Sequence, residues 1–251
     1  MEATQRSPLL GILGGLGPMS TVYFYELLTA HTKAQTDADH IDLIISSRAS
    51  TPDRTAFLLG RSKDDPFPAM REELHRLKNA GAELLVIPCN TAHTFYKKLQ
   101  AASDAPILNI IEQTVAHLKR GGIKQFGLLA TEGTVRSGAY QHFCKSNQIT
   151  CILPTDEEQA EISAFIYRDI KQNRPVDMER FFKIADALRA RGCERLVLGC
   201  TELSLLKKQG LSDEIYVDSL EVLAYHTILA CQKQPCGFSD AFLALEQEGA
   251  I

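Results

Sequence analysis

Leu85-Val86-Ile87-Pro88-Cys89-Asn90-Thr91 is matched, 111 residues further on, by Leu196-Val197-Leu198-Gly199-Cys200-Thr201. Each is a short apolar run, too short for a helix, that reads as a strand buried on both faces of a parallel sheet. Each runs straight into a thiol and then a threonine hydroxyl. Working outward, Leu10-Gly11-Ile12-Leu13-Gly14 is matched by Phe126-Gly127-Leu128-Leu129-Ala130 at an offset of 116 residues. Two halves therefore open with a glycine-containing strand and later deliver a cysteine at the end of another. Buried parallel strands resemble one another by composition alone; a thiol at the same point in both halves is the part that composition does not account for.

The rest of the chain fits that frame. Strands are expected at Leu9–Leu13, Ile41–Ser46, Leu84–Pro88, Ile107–Ile110, Gln125–Ala130, Thr150–Leu153, Arg195–Gly199 and Ile215–Val217. Helices are expected at Pro18–Lys33, Pro66–Ala80, Thr91–Ala101, Ile111–Arg120, Arg136–Asn147, Glu157–Lys171, Asp177–Arg191 and Ser219–Gln232. Pro18 and Pro66 suit first-turn positions, and Asp218 or Ser219 can cap the last helix. This alternation implies an α/β fold with two pseudo-symmetric lobes, each a mostly parallel sheet flanked by helices. The expected division is residues 1–115 plus 216–251 for the first lobe and 116–215 for the second, with the active site in the cleft between them.

At 251 residues, 45% hydrophobic and 23% charged, the chain can bury sizeable cores. A net charge of −4 and a pI near 6.0 supply no basic field for nucleic acid or an anionic membrane, so a small-molecule partner is expected. No apolar run approaches the roughly 20 residues that span a bilayer, and Met1 to Pro8 is too polar and short for a signal peptide, which implies a cytoplasmic protein. The cysteines are seven and scattered, without CxxC pairs; Cys231 and Cys236, separated by four residues, have no matching pair. Reduced thiols and no metal site are expected.

In open α/β sheets ligands bind beyond the carboxyl ends of the strands, where Cys89 and Cys200 both fall. A thiol beside a helix N-terminus is expected to have a depressed pKa. Two thiols across one carbon suit inversion of a stereocentre, which needs a proton removed from one face and another delivered to the opposite face. The alternative is a pair of buried core cysteines. Acid–base help is worth about 10²–10⁴-fold, so donors to the developing negative charge are needed as well, each worth about 3 to 4 kcal/mol. Asn90, Thr91 and Thr201 are candidates, against plain helix capping. Arg48, after the second expected strand, can grip a carboxylate bidentately, and Lys171 is a second candidate cation; each also has a surface or helix-end reading. His93, four residues after Cys89, is a candidate proton partner or a structural histidine. Glu202 can orient a substrate ammonium or favour the helix start.

The segment Gly15-Leu16-Gly17-Pro18-Met19-Ser20 approaches the dinucleotide fingerprint, but Ser20 replaces its third glycine and Ser46-Ser47-Arg48 stands where the ribose-binding acid belongs. It reads better as a tight loop that lets backbone approach a small anion.

Together, Gly11 to Thr21, Ile87-Pro88-Cys89-Asn90-Thr91-Ala92-His93 and Leu198-Gly199-Cys200-Thr201-Glu202-Leu203 resemble the aspartate/glutamate racemase family, and within it the aspartate racemase branch, over nearly the whole chain. The resemblance implies a racemase without pyridoxal phosphate, metal or other cofactor, acting on aspartate, glutamate or both, with Cys89 and Cys200 as the acid/base pair. It implies substrate contacts from Asn90, Thr91, Thr131 and Thr201, with Arg48 and Lys171 facing the distal carboxylate, and a homodimer; Met19 and Glu202 are further expected substrate contacts. The Thr-His typical of the glutamate branch after the second cysteine is Thr201-Glu202 here. The alternatives are a single-cysteine lyase or isomerase of a small diacid, and a module that binds an acidic metabolite without chemistry.

Overall fold

The two halves of the chain repeat one strand order. In the computed structural model, which describes residues 6–247, the first half builds β1 (Leu10–Gly14), β2 (Leu43–Ser47), β3 (Leu84–Val86) and β4 (Ile107–Leu108). The second builds β5 (Gln125–Leu129), β6 (Thr150–Ile152), β7 (Arg195–Leu198) and β8 (Tyr216–Asp218). The sheets run β2-β1-β3-β4 and β6-β5-β7-β8, every pair parallel. This is the α/β architecture expected from the repeat. Residues 1–5, part of the stretch read above as too polar for a signal peptide, lie outside the described residues, as do 248–251 at the end of the expected first-lobe segment.

The repeated glycine has a packing cause. Gly11 is in register with Leu85 of β3, and a Cβ on it would lie 2.7 Å from the Leu85 side chain. Gly127 is in register with Leu196 of β7, and its Cβ would also fall 2.7 Å from that leucine. Each central strand thus gives up a side chain so that the leucine of its neighbour can close the sheet face, a fit that a densely packed interior does not relax.

Three clusters of buried apolar residues follow from the layering. One lies over the outer face of the first sheet, around Leu13, Leu74, Leu85 and Leu99. A second covers the outer face of the second sheet, around Ile162, Phe165, Phe181 and Leu196. The largest runs between the sheets, joining Leu10, Ile12 and Phe24 to Phe126, Val197, Leu220 and Leu223. Helices Ile110–Arg120 and Ser219–Ala230 pack on each other in that middle layer. They start alike: Asn109 accepts from the amides of Ile111 and Glu112, and Asp218 accepts from that of Leu220. The lobes therefore share one core, which fixes how their strand ends face one another.

Local differences from the sequence expectations have local causes. Tyr216–Asp218, assigned above to the first lobe, hydrogen-bonds to β7 and belongs to the second sheet. The expected helix 91–101 is a 3-10 turn, Thr91–Phe95, followed by a short helix, Tyr96–Ala101. The expected helix 136–147 is split by Gly138, whose φ of 69° lies in the left-handed region. No helix among the described residues is long and apolar enough to cross a membrane.

Candidate active site

Both cysteines lie just beyond the carboxyl end of a central strand. Beyond β3, Ile87 and Pro88 carry the chain to Cys89; beyond β7, Gly199 carries it to Cys200. Gly199 leaves room for its neighbours, because a Cβ there would sit 2.6 Å from the Leu128 side chain and 3.3 Å from Ala130, and Leu128 would have to shift. Hydrogen bonds knit the two cysteine loops together. Thr201 donates to the Pro88 carbonyl at 3.2 Å, and the Asn90 amide donates to Ser219 at 2.9 Å while accepting from the Tyr140 hydroxyl at 2.7 Å. The hydroxyls of Thr91, Thr131 and Thr134 form a triangle with sides of 2.9, 2.9 and 3.0 Å. One corner comes from the first lobe and two from the second.

These loops line a narrow cavity whose wall includes both Cys89 and Cys200. Asn90, Thr91, Thr131, Lys171, Thr201 and Glu202, all expected at the site, line it too. Two thiols, from pseudo-equivalent strands, thus share the wall of one small chamber.

The electrostatics of the two thiol loops are unequal. Cys200 Sγ donates to Glu202 Oε2 at 3.0 Å. Burial first, and then the Glu202 carboxylate, push the Cys200 thiol well above its ordinary value. This reverses the expectation of a depressed pKa at that position. The segment after Cys200 is a turn leading into a 3-10 helix, Leu203–Gln209, and a carboxylate two residues away outweighs any partial charge from its amides. Lys171 Nζ lies 3.3 Å from Glu202 Oε1; burial works most strongly against its ammonium, but Glu202, Cys200 and Cys89 together outweigh it and raise its pKa.

Three expected residues lie elsewhere. Arg48 is held by Glu72 at 2.6 Å and Glu73 at 3.2 Å and lines a surface depression away from the thiols. His93 is buried, and burial lowers its pKa to about 4, so its ring is neutral. Nδ1 faces the Cys89 carbonyl at 2.8 Å and Nε2 takes the Ile110 amide at 3.4 Å. With both nitrogens used, His93 is a bracket between the first cysteine loop and helix Ile110–Arg120, not a proton partner. Met19 is 63% exposed and lines a wider chamber beside the cavity.

The place expected for Arg48 is taken by Arg54, only 6% exposed, which lines the thiol cavity with Asp53, Thr55 and Tyr167. Its guanidinium donates to the carbonyls of Leu16 at 2.8 Å and Pro52 at 3.1 Å. The sequence signal was Pro52-Asp53: Asp53 accepts from the Ala56 amide at 2.7 Å and so starts a short helix, Arg54–Leu58, beyond the carboxyl end of β2.

A family model for Asp/Glu/Hydantoin racemases matches residues 13–227. The chain belongs to this racemase family. It is therefore an isomerase, and the chamber that holds both cysteines is the place to look for its chemistry. The chain is 26% identical to the broad specificity amino-acid racemase RacX of Bacillus subtilis over 226 residues, 88% of this chain and 96% of that one. It is 31% identical to the glutamate racemase of Aquifex pyrophilus over 179 residues, 65% of each chain. The structure of the Picrophilus torridus aspartate racemase superposes with a TM-score of 0.81 at 28% identity, covering 95% of this chain and 99% of that one.

The loop of this racemase that carries Cys89 depends on Tyr140. Tyr140→Phe removes the donor to Asn90 Oδ1 and leaves a buried amide oxygen short of a partner, which is expected to cost about 1–3 kcal/mol. Urea unfolding of the variant checks this, with an unchanged midpoint counting against it.

Proposed function

We propose that the chain interconverts L- and D-aspartate by a cofactor-independent two-thiol mechanism. The observation that carries the reading is that Cys89, Cys200 and two cations, Arg54 and Lys171, line the same cavity. One cysteine, as thiolate, takes the α-proton; the other, as thiol, delivers a proton to the opposite face. The pair ends the turnover with roles exchanged. Loss of the α-proton moves charge onto the α-carboxylate, and the hydroxyls of Thr91 and Thr131 on the cavity wall can turn from their mutual hydrogen bond to donate to it. Arg54 and Lys171 suit the side-chain carboxylate, and the carboxylates of Asp53 and Glu202 suit the ammonium.

A second observation favours side chains longer than that of aspartate as well. Asp53, Arg54, Lys171 and Glu202 also line a solvent-open chamber of ≈ 1380 Å³, walled further by Pro18, Met19, Ile170 and Leu205. A longer substrate can place its α-carbon between the thiols and extend there. The test is incubation of the purified protein, without added cofactor, with L- and D-forms of aspartate, glutamate and neutral amino acids in deuterated water. The expected result is inversion of aspartate with solvent deuterium at the α-carbon. Retention of configuration and of the original hydrogen across the panel refutes the reading.

A further inference from the structure

The thiol–carboxylate contact at Cys200 is unlike anything around Cys89, and it is built rather than incidental. Glu202 is only 6% exposed. Its Oε2 accepts from Cys200 Sγ at 3.0 Å, and its Oε1 lies where a Cβ on Gly17 would be 2.8 Å away. The side-chain-free position in Gly15-Leu16-Gly17 thus makes room for an anion, but the anion is this chain's own carboxylate. Lys171 Nζ stands 3.3 Å from Oε1 as counter-charge, too poorly aligned for a hydrogen bond, so that oxygen is buried without a donor. The other charged or titratable groups on the cavity wall are Asp53, Arg54, Cys89 and Tyr167; among the described residues only the Glu202 side chain hydrogen-bonds the Cys200 thiol.

We infer that Glu202 is a positioning residue for racemisation: it holds Cys200 as the protonated partner of the pair and aims its hydrogen, with Gly17 and Lys171 keeping the carboxylate in place. This rests on the two-thiol reading above. A protein held this way rests with Cys200 ready to donate, and so is ready first for the enantiomer whose α-hydrogen faces Cys89. When a substrate carboxylate draws Lys171 away, Glu202 loses its counter-charge and becomes a better acceptor for the Cys200 proton. The proton then moves from Sγ to Oε2, leaving a thiolate beside a neutral carboxylic acid, and the opposite direction becomes accessible. Because L- and D-forms are equal in energy, kcat/KM must remain equal in the two directions, so the effect of Glu202 shows in pH dependence and not in a directional bias.

The test reads the thiolate directly. Its ultraviolet absorbance is titrated as the difference between Cys89→Ser protein and Cys89→Ser/Cys200→Ser protein, with and without Glu202→Gln. Gln keeps a carbonyl acceptor for the thiol but removes the charge, so Cys200 is expected to ionise at lower pH, with about tenfold more thiolate at a fixed pH. The pH profile of racemisation by Glu202→Gln with both cysteines present is expected to move in the same direction. Gly17→Ala, which displaces the carboxylate without replacing it, is expected to shift the titration likewise and serves if Glu202→Gln does not fold. An unchanged Cys200 titration in a folded variant, or a rise in KM alone, overturns the inference. No substrate enters the titration, so this outcome is distinct from a failure to racemise, which would strike at the two-thiol reading.

Discussion

Cys200→Ser is expected to abolish racemisation of aspartate to within about a thousandth of the wild-type rate while leaving the fold intact. A serine hydroxyl is close in size to the thiol, and the site is buried, so packing changes little. Chemistry changes much more: proton transfer from a positioned group contributes about 10²–10⁴-fold, and a hydroxyl is a far weaker acid than a thiol. The informative part is what survives. Cys89 still faces one side of the α-carbon, so one enantiomer is expected to exchange its α-hydrogen with solvent deuterium while keeping its configuration. Cys89→Ser is expected to do the same for the other enantiomer. Measuring exchange and inversion together therefore separates two thiols on opposite faces from two thiols on one face. In the second case both variants would retain exchange for the same enantiomer. Inversion at an undiminished rate in either variant would remove the acid–base role from that cysteine.

Much of this site was legible because the signals were local. The apolar runs at Leu84–Val86 and Arg195–Leu198 form strands where the alternation placed them, and the thiols follow from strand ends that any open α/β sheet turns toward ligand. What was not legible depended on side chains meeting across the fold. Arg48 and Arg54 both follow β2, and no short-range rule chooses between them. Gly15 does: its φ of 82° and missing side chain let the Arg48–Ala49 backbone cross within 2.6 Å of where a Cβ would lie. Arg48 then meets Glu72 and Glu73 on helix Phe67–Asn79, while the helix capped by Asp53 brings Arg54 to the cavity. His93 failed as a proton partner for a related reason. Four-residue spacing put its ring near Cys89, but the contact is with the carbonyl and not the sulfur. The thiol at Cys200 was misjudged because dipole reasoning considered the amides after it and not the carboxylate two residues on.

Arg54→Met is the second large effect expected, and it splits into two measurable parts. Among the described residues no carboxylate lies within ion-pair distance of Arg54; its charge is held by the carbonyls of Leu16, Thr51 and Pro52, and its Nε has no partner. Hydrogen bonds to a charged group are worth about 1.5–3 kcal/mol each, but removing the guanidinium also relieves the cost of burying it. The two largely oppose, so a loss of about 2 kcal/mol of stability is expected in denaturant unfolding. On catalysis nothing opposes the loss. A side-chain carboxylate entering the cavity would forgo a charge-assisted contact of about 3 kcal/mol, so kcat/KM for aspartate is expected to fall about a hundredfold. A neutral amino acid turned over by the same thiols has no such contact to lose and is expected to change little. Arg54→Lys keeps the charge but not the planar fork, and is expected to fall between the two. Equal losses for aspartate and neutral substrates would assign Arg54 to holding the Leu16 and Pro52 loops together and would take it out of substrate recognition.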